Sequence, residues 1–193
     1  MPRSRTVDDA AILAAAAEAI GEHGPSGFTL ATVGAKVGLA PATLLQRFGS
    51  KRELLLRLAE TGPRWAEQKF VEASARYASP LKALTAALKA MTAGVATPES
   101  MANNLAFLQL DLSDPDFHRL ALAHARDLRR GIEALLEDAA AAGELAPGTD
   151  TRRLAEVVES VYNGALITWA IHRKGTVENH LQRQLDVVLS RAP

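Results

Sequence analysis

Several features are missing from this 193-residue sequence, and each absence excludes a class of protein. Cysteine does not occur, so neither a disulfide framework nor a thiolate metal site can form. No uncharged apolar run is long enough for a signal peptide or a membrane span. With 48% hydrophobic and 23% charged residues, the composition is that of an ordinary globular protein. We therefore expect a cytoplasmic protein with no membrane partner.

The signatures of catalysis and of metal binding are also missing. None of the five histidines has a second histidine at the i, i+4 spacing with which a helix binds zinc. The patterns of serine hydrolases (GxSxG), zinc proteases (HExxH) and nucleotide-binding loops do not occur. The sequence therefore predicts that the protein is not an enzyme and holds neither a metal nor a cofactor.

The net charge is zero, because 22 basic residues balance 22 acidic ones, but the charges are unevenly distributed. No acidic residue lies between Glu22 and Glu53. Four cations lie in that window, namely Lys36, Arg47, Lys51 and Arg52. Such a cluster of positive charge favours contact with phosphate groups, although a chance gap between acidic residues would give the same pattern.

The hydrophobic pattern predicts helices throughout and no strand. A first helix is predicted over residues 7–23. Thr29 is a good N-cap for a second helix, and Gly38 can take the left-handed conformation of a tight turn. Gly34, one turn earlier, leaves room for a close approach of two helices. A third helix is predicted over residues 41–48, and two short helices joined by a glycine turn are typical of a helix-turn-helix.

The order of these residues resembles the N-terminal domain of the TetR family of bacterial transcriptional regulators. The resemblance covers residues 7–58 and lies in the stretch FTLATVGAKVGLAPATLLQRFGSKRELL. It implies an all-α fold: a three-helix, homeodomain-like helix-turn-helix domain at residues 1–50, then a larger helical effector-binding and dimerisation domain at residues 51–193. About nine helices are expected in total. The residues at the positions of the family's motif are Thr29, Gly38, Thr43, Leu44, Phe48, Ser50, Lys51 and Leu54.

The third helix departs from the family pattern at three positions. Leu45 replaces the usual tyrosine and removes one phosphate contact, whereas Arg47 replaces the usual histidine with a stronger charge. Ala40 replaces the usual serine and forfeits a side-chain cap worth about 1 kcal/mol. Pro41 partly offsets that loss, because its fixed φ suits the first helical turn.

Half of the third helix is predicted to be core and half to face DNA. Leu44 and Phe48 are four residues apart, so they share the buried face. Thr43 can bond a phosphate or touch a thymine methyl group, and Gln46 can pair with adenine. The N-terminus of the next helix, at Lys51, also attracts phosphate. The predicted DNA-contacting residues are Thr29, Ala40, Pro41, Ala42, Thr43, Gln46, Arg47 and Lys51.

The rest of the chain is predicted to form further helices. Gly62-Pro63 interrupts a helix that begins near Lys51 and is a candidate joint between the domains. Asp114 and Asp150 are expected to cap two later helices, of which the second ends near Lys174.

The last two helices are predicted to form a dimer interface. The longer one is apolar on more than one face, so it needs cover on two sides. In TetR-like proteins these helices form a four-helix bundle with their symmetry mates, which implies a homodimer. A wholly intramolecular core is the alternative. The expected interface residues are Leu154, Val158, Val161, Ala165, Leu181, Leu185 and Val188.

An effector site is expected in the middle of the chain, because the family usually binds its ligands there. Two tryptophans and few charges suit an apolar or aromatic small molecule. The candidate residues are Trp65, Met91, Phe107, Asp111, His124, Tyr162 and Trp169.

Together these features predict a sequence-specific DNA-binding transcriptional regulator. It would be a ligand-responsive repressor that acts as a homodimer on a palindromic operator in double-stranded DNA. The alternative is an all-α module for small molecules or proteins whose helix-turn-helix has lost DNA binding, because Leu45 and Ala40 weaken the contact set.

Overall fold

Helices are the only regular secondary structure in the described part of the chain. The computed structural model describes residues 7–190, apart from the side chains of Pro25 and Ser26. These residues form ten α-helices, one short 3₁₀ helix and no strand, so the all-α prediction is confirmed. No helix within residues 7–190 is long and apolar enough to cross a membrane. The helices are α1 (Asp9–Gly27), α2 (Leu30–Val37), α3 (Pro41–Phe48), α4 (Lys51–Ala59), α5 (Gly62–Arg76), α6 (Pro80–Ala90), α7 (Pro98–Ser113), α8 (Pro115–Ala141), α9 (Thr151–His172) and α10 (Val177–Leu189), with the 3₁₀ helix Met91–Gly94 after α6.

Local hydrogen bonds and one glycine set the bounds of the first helices. The backbone N–H of Thr32 donates to the Thr29 hydroxyl at 3.1 Å, and the N–H of Thr29 donates to the Thr32 hydroxyl at 3.0 Å. This capping box starts α2, and Gly38, at φ 70°, ends it as predicted. Helix α1 extends to Gly27 instead of residue 23, because the chain returns to helical geometry after a kink at Gly24, where φ is 65°.

Gly34 allows the turn between α2 and α3 to close. Its carbonyl oxygen accepts a hydrogen bond from the N–H of Leu39 at 2.9 Å. A Cβ on Gly34 would overlap the carbonyl oxygen of Leu39 and would also touch the Leu44 side chain. The predicted close approach is therefore present, and the neighbour is the backbone of the turn.

The helix-turn-helix has a hydrophobic core to which later helices contribute. Val33, Leu44 and Leu54 are fully buried in it. Phe117 of α8 lies in the same cluster, together with partly buried side chains of α7. Packing therefore groups α4 with the three helices before it, while a domain boundary after residue 50 stays a prediction.

The later helices begin largely where the sequence indicates. Pro63 lies in the first turn of α5, so the predicted break after α4 is present. The N–H of Arg153 donates to the Asp150 carboxylate at 3.0 Å, which caps α9. That helix ends at His172, slightly before the predicted end, because Arg173 adopts the left-handed conformation with φ 55°.

The stripe predicted as a dimer interface lies inside the chain's own core. Val158, Leu181 and Leu185 are fully buried, and Ala165 is nearly so. They pack in one cluster with side chains of α6 and α8, which already cover this side of α9 and α10. The prediction of these residues as intersubunit contacts therefore needs correction. The predicted stripe is Leu154, Val158, Val161, Ala165, Leu181, Leu185 and Val188. Leu154, Val161 and Val188 are only partly buried, so their contact with a partner stays a prediction.

A second apolar face of α9 and α10 stays uncovered. Val157, Ile167 and Ile171 of α9 are exposed, as is Val187 of α10. The structure therefore shows α9 packed on one side by its own chain and apolar on an exposed side as well.

Replacing Gly34 with alanine should destabilise the fold. Alanine favours helices by about 1 kcal/mol over glycine, but the clash with the Leu39 carbonyl should outweigh this and cost about 1–3 kcal/mol net. Urea unfolding measures the difference. Gly94→Ala is the matched control, because a Cβ there meets nothing within 4 Å. Equal or higher stability of Gly34→Ala would show that the turn does not require glycine.

Candidate nucleic-acid interface

Helix α3 presents one buried face and one exposed face. Leu44 is fully buried, and Phe48 is half-buried in the same cluster. The exposed side carries Ala42, Thr43 and Gln46. These side chains are small or uncharged, so the exposed face can approach a groove floor closely and offers hydrogen bonds at two positions.

The start of α3 has the chemistry expected from its sequence. Ala40 occupies the N-cap position without a side-chain hydrogen bond, and Pro41 lies in the first turn. Leu45 is half exposed, so an apolar side chain stands where the family's tyrosine would reach a phosphate.

The side chain of Lys51 lies over an aromatic ring of the helix-turn-helix core. Its ammonium, in the first turn of α4, is 5.5 Å from the centroid of the Phe28 ring. Phe28 directly precedes Thr29, the N-cap of α2. One predicted DNA-contacting residue, Lys51, thus contacts the residue next to another, Thr29.

Two of the four clustered cations are neutralised by acidic residues of α1. The Lys36 ammonium lies 2.8 Å from the Glu22 carboxylate and 3.4 Å from that of Glu18. The Arg47 guanidinium contacts the Asp9 carboxylate at 2.5 Å and donates to the Val7 carbonyl at 2.6 Å.

A third cation, Arg52, pairs with acidic residues much later in the chain. Its Nη2 atom lies 2.9 Å from Asp114 and 2.7 Å from Asp116. The window without acidic residues is therefore not an uncompensated positive patch in space, because folding brings carboxylates to it. The predicted contact of Arg47 with DNA stays a prediction that requires an exchange of ionic partners.

Three of the predicted effector residues are accounted for by packing. Met91 is buried in the core between α6 and α10. Phe107 packs edge-to-face on Phe117, with ring centroids 5.8 Å apart. Trp169 is buried and donates its indole N–H to the Gly175 carbonyl at 3.0 Å.

The other four predicted effector residues differ in their surroundings: they are Trp65, Asp111, His124 and Tyr162, of which Tyr162 packs against the core. Trp65 is 43% exposed. Burial raises the pKa of the Asp111 carboxyl to about 6 and that of the Tyr162 hydroxyl to about 12.

His124 holds a buried polar atom without a hydrogen bond. Among the described residues its Nδ1 has no partner, and a Cβ on Gly62 would lie 3.2 Å from this atom. Burial lowers the pKa of His124, so the ring is neutral at pH 7. The sequence indicated His124 and the Gly62-Pro63 break separately, and only the fold brings them together.

A surface groove of about 810 Å³ opens between α5, α6 and α10. None of the seven predicted effector residues lines it. Sequence reasoning missed this groove, because its mixed lining of charged and apolar side chains comes from four separate segments. Across the described chain, no group of three or more His, Asp or Glu side chains is arranged to hold a metal ion.

The fold and the exposed face of α3 define a helix-turn-helix DNA-binding protein. Residues 12–58 match the family model described as "Bacterial regulatory proteins, tetR family", and residues 80–191 match "BetI-type transcriptional repressor, C-terminal". The chain belongs to the TetR family of bacterial regulatory proteins, with a C-terminal domain of the BetI type. It is therefore a ligand-responsive DNA-binding transcriptional repressor, from a family of regulators rather than enzymes.

Individual relatives agree with this assignment. The HTH-type transcriptional regulator BetI of Agrobacterium fabrum is 29% identical over 158 residues, which cover 81% of this chain and 74% of the relative. A TetR-family regulator from Agrobacterium tumefaciens superposes with a TM-score of 0.73 at 22% identity, covering 95% and 96% of the two chains. Bacillus subtilis FadR, solved with stearoyl-CoA, gives 0.70 at 18%, covering 95% and 98%.

Asp111 makes the stability of the protein depend on pH. Its carboxyl pKa rises from 3.8 to about 6 on folding, so the folded state disfavours the ionised form. The free energy of unfolding should therefore fall as pH rises from about 4 to about 7. Because the group is only half-buried, water screens the effect, and we expect a loss of about 1 kcal/mol.

Asp111→Asn should remove this loss. The variant should be more stable than the wild type near pH 7.5 by about 1 kcal/mol and nearly equal to it near pH 4. Urea unfolding at the two pH values makes the comparison. A stability difference that is the same at both would mean that this carboxyl group does not titrate between them.

Proposed function

We propose that the protein acts as a homodimer on a two-fold symmetric operator in the cytoplasm. Each subunit would place α3 in a major groove, and the two half-sites would lie about 34–36 Å apart. The observation that carries this proposal is the division of α3 between fully buried Leu44 and exposed Thr43 and Gln46. With so few polar groups on α3, one subunit has little specificity, and two combined half-sites compensate for it.

The exposed face of α9 and α10 supports a dimer with this symmetry. Val157, Ile167 and Ile171 lie on the outer side of α9 and Val187 on that of α10. Gly164 lies on the same helix, and a Cβ there would meet nothing within 4 Å, so a second backbone can approach closely. Two-fold pairing would bury this face against itself, which makes these residues the proposed interface in place of the stripe expected from the sequence.

The proposed effector is an apolar or aromatic small molecule that binds in the helical domain near His124. The Nδ1 atom of His124 has no hydrogen-bond partner among the described residues, so it can bond a single polar group on such a ligand, as acceptor or donor according to the tautomer of the neutral ring. Trp65, three residues after Gly62 on α5, offers an aromatic surface. The ligand would shift the dimer from a state whose spacing fits both half-sites to one whose spacing does not. The free energy of this shift can be no larger than the difference between the ligand's binding free energies for the two states.

Phosphate contact is expected to contribute only part of the DNA-binding free energy. Three of the four clustered cations, Lys36, Arg47 and Arg52, are held by carboxylates. Salt-dependent shift assays with duplex DNA measure this contribution, because phosphate contact by even a few cations gives a measurable salt slope.

The dimer proposal predicts the effect of a charge on the exposed face. Ile167→Arg should give folded monomers that bind a palindromic operator poorly, because a buried unpaired charge disrupts an apolar interface. Val71→Arg is the matched control, because Val71 is also exposed but lies on α5, away from α9 and α10. Sedimentation measures both. A monomeric wild type at micromolar concentration, or a dimeric Ile167→Arg, would contradict the proposed interface.

The recognition proposal predicts base-specific loss at Gln46. Its amide can donate and accept together, as the adenine edge requires. Gln46→Ala should therefore weaken binding to the operator by about 1–3 kcal/mol and reduce the preference for one base pair in each half-site. Affinity for non-specific DNA should hardly change, because no charge is lost.

Leu44→Ala is the contrasting variant. It should lower stability by about 2–5 kcal/mol and weaken binding to every sequence alike, because it empties core volume. Titration of operator variants at one salt concentration compares the two. If Gln46→Ala keeps every base preference, Gln46 is solvated surface, and recognition comes from Ala42, Thr43 and Arg47 or from DNA shape.

A further inference from the structure

We infer that Arg52 is a positioning residue that fixes the helix-turn-helix against α8 and thereby sets the spacing of half-sites that the dimer accepts. The sequence alone placed Arg52 in a cluster of cations that favours phosphate contact, but not among the predicted DNA-contacting residues. The inference deepens the DNA-binding function given above and rests on the proposed dimer.

The geometry around Arg52 joins the start of α4 to the start of α8. Its Nη2 atom lies 2.9 and 3.0 Å from the two carboxylate oxygens of Asp114 and 2.7 Å from that of Asp116. The guanidinium carbon lies 5.7 Å from the centroid of the Phe117 ring. Glu53, its neighbour on α4, is farther away at 3.9 Å. Two carboxylates and one ring, all from the first turn of α8 and its N-cap, therefore hold one side chain.

Asp114 is itself held in place. Its carboxylate is the N-cap of α8 and accepts hydrogen bonds from the N–H groups of Asp116 at 3.0 Å and Phe117 at 3.4 Å. The Arg52 guanidinium lowers the pKa of Asp114, which keeps this carboxylate ionised near neutral pH. The Asp114 side chain is therefore already fixed before Arg52 binds it, and it loses little conformational entropy on binding. The contact holds the start of α4 against the start of α8 more firmly than an ordinary surface ion pair would.

A second attachment lies between α1 and α7. The Asn103 side-chain amide donates to the Gly21 carbonyl at 2.9 Å. A Cβ on Gly24 would lie 2.7 Å from the Asn103 amide oxygen, so this part of α1 sits directly against α7. Apolar contacts of Phe117 and of α7 side chains already hold the helix-turn-helix (α1 to α4) against α7 and α8. The polar contacts at Asn103 and Arg52, which are directional and lie at separate places, then fix its orientation.

The orientation of the helix-turn-helix (α1 to α4) decides where α3 lies. Only Gly49 and Ser50 separate α3 from α4, and Arg52 lies in the first turn of α4. A rotation of the module about its α1–α7 contact would move both copies of α3 in the dimer and change the distance between them. Because half-sites must match that distance, the Arg52 contact should control spacing preference rather than base preference.

The double variant Asp114→Asn/Asp116→Asn separates the two roles of Arg52. Asparagine is as good an N-cap as aspartate, so α8 keeps its start and only the two negative charges are removed. If Arg52 were a phosphate contact competing with these acids, the variant would free it and bind all DNA more tightly. If Arg52 positions the module, the variant should lose about tenfold in affinity for the preferred operator and discriminate less among spacings.

The experiment titrates wild type and variant against operators with half-sites moved one base pair closer or farther, and against unrelated DNA, at one salt concentration. Arg52→Glu should show the same flattened spacing profile. Arg52→Glu/Asp114→Asn/Asp116→Arg, which removes the Asp114 charge and reverses the pair with Asp116, should restore the wild-type profile. Melting curves and sedimentation check that each variant is a folded dimer. Tighter operator binding by the Asn variant, an unchanged spacing profile or absence of rescue would overturn the inference. Failure of the wild type to prefer any operator would instead refute the proposed dimer function.

Discussion

The full burial of Leu44 is the constraint on which DNA recognition depends. Helix α3 has only eight residues, which is too short for a helix that is stable in water on its own. It exists because one side is fixed in the core shared with α1, α2 and α4, while Gly34 lets the preceding turn come close enough for Leu44 to enter. The exposed position of Gln46 follows from this burial, so a change at Leu44 affects recognition as well as stability.

Electrostatics in this protein acts mainly to orient helices. A neutral chain has no general attraction for DNA, and three cations near α3 are held by carboxylates from α1 and α8. Arg47 fixes the start of α1, and Arg52 fixes the start of α8 against α4. In the proposed complex, specific binding would then draw on few phosphate contacts, on the base edges reached by α3, and on the summed contribution of two subunits.

Local features of the fold were predictable from the sequence, and distant pairings were not. Thr29, Gly38 and Asp150 begin or end helices as expected, because capping chemistry depends on residues within one turn. The partners of Lys36 and Arg52 could not be inferred, since nothing in a local window specifies which carboxylate approaches from another helix. The assignment of Val158 and Leu185 to an interface was wrong for a similar reason: periodicity identifies an apolar stripe but does not say whether the same chain or a second one covers it.

Selection of binding sites from a random pool of DNA duplexes tests the central claim, that paired copies of α3 recognise a symmetric site. The pool is incubated with the protein at moderate salt, and bound duplexes are amplified and sequenced over several rounds. The account predicts a two-fold symmetric consensus with half-sites about one helical turn apart, ~34–36 Å, bound by two chains per duplex. An asymmetric site bound by one chain, or no enrichment at all, would contradict it.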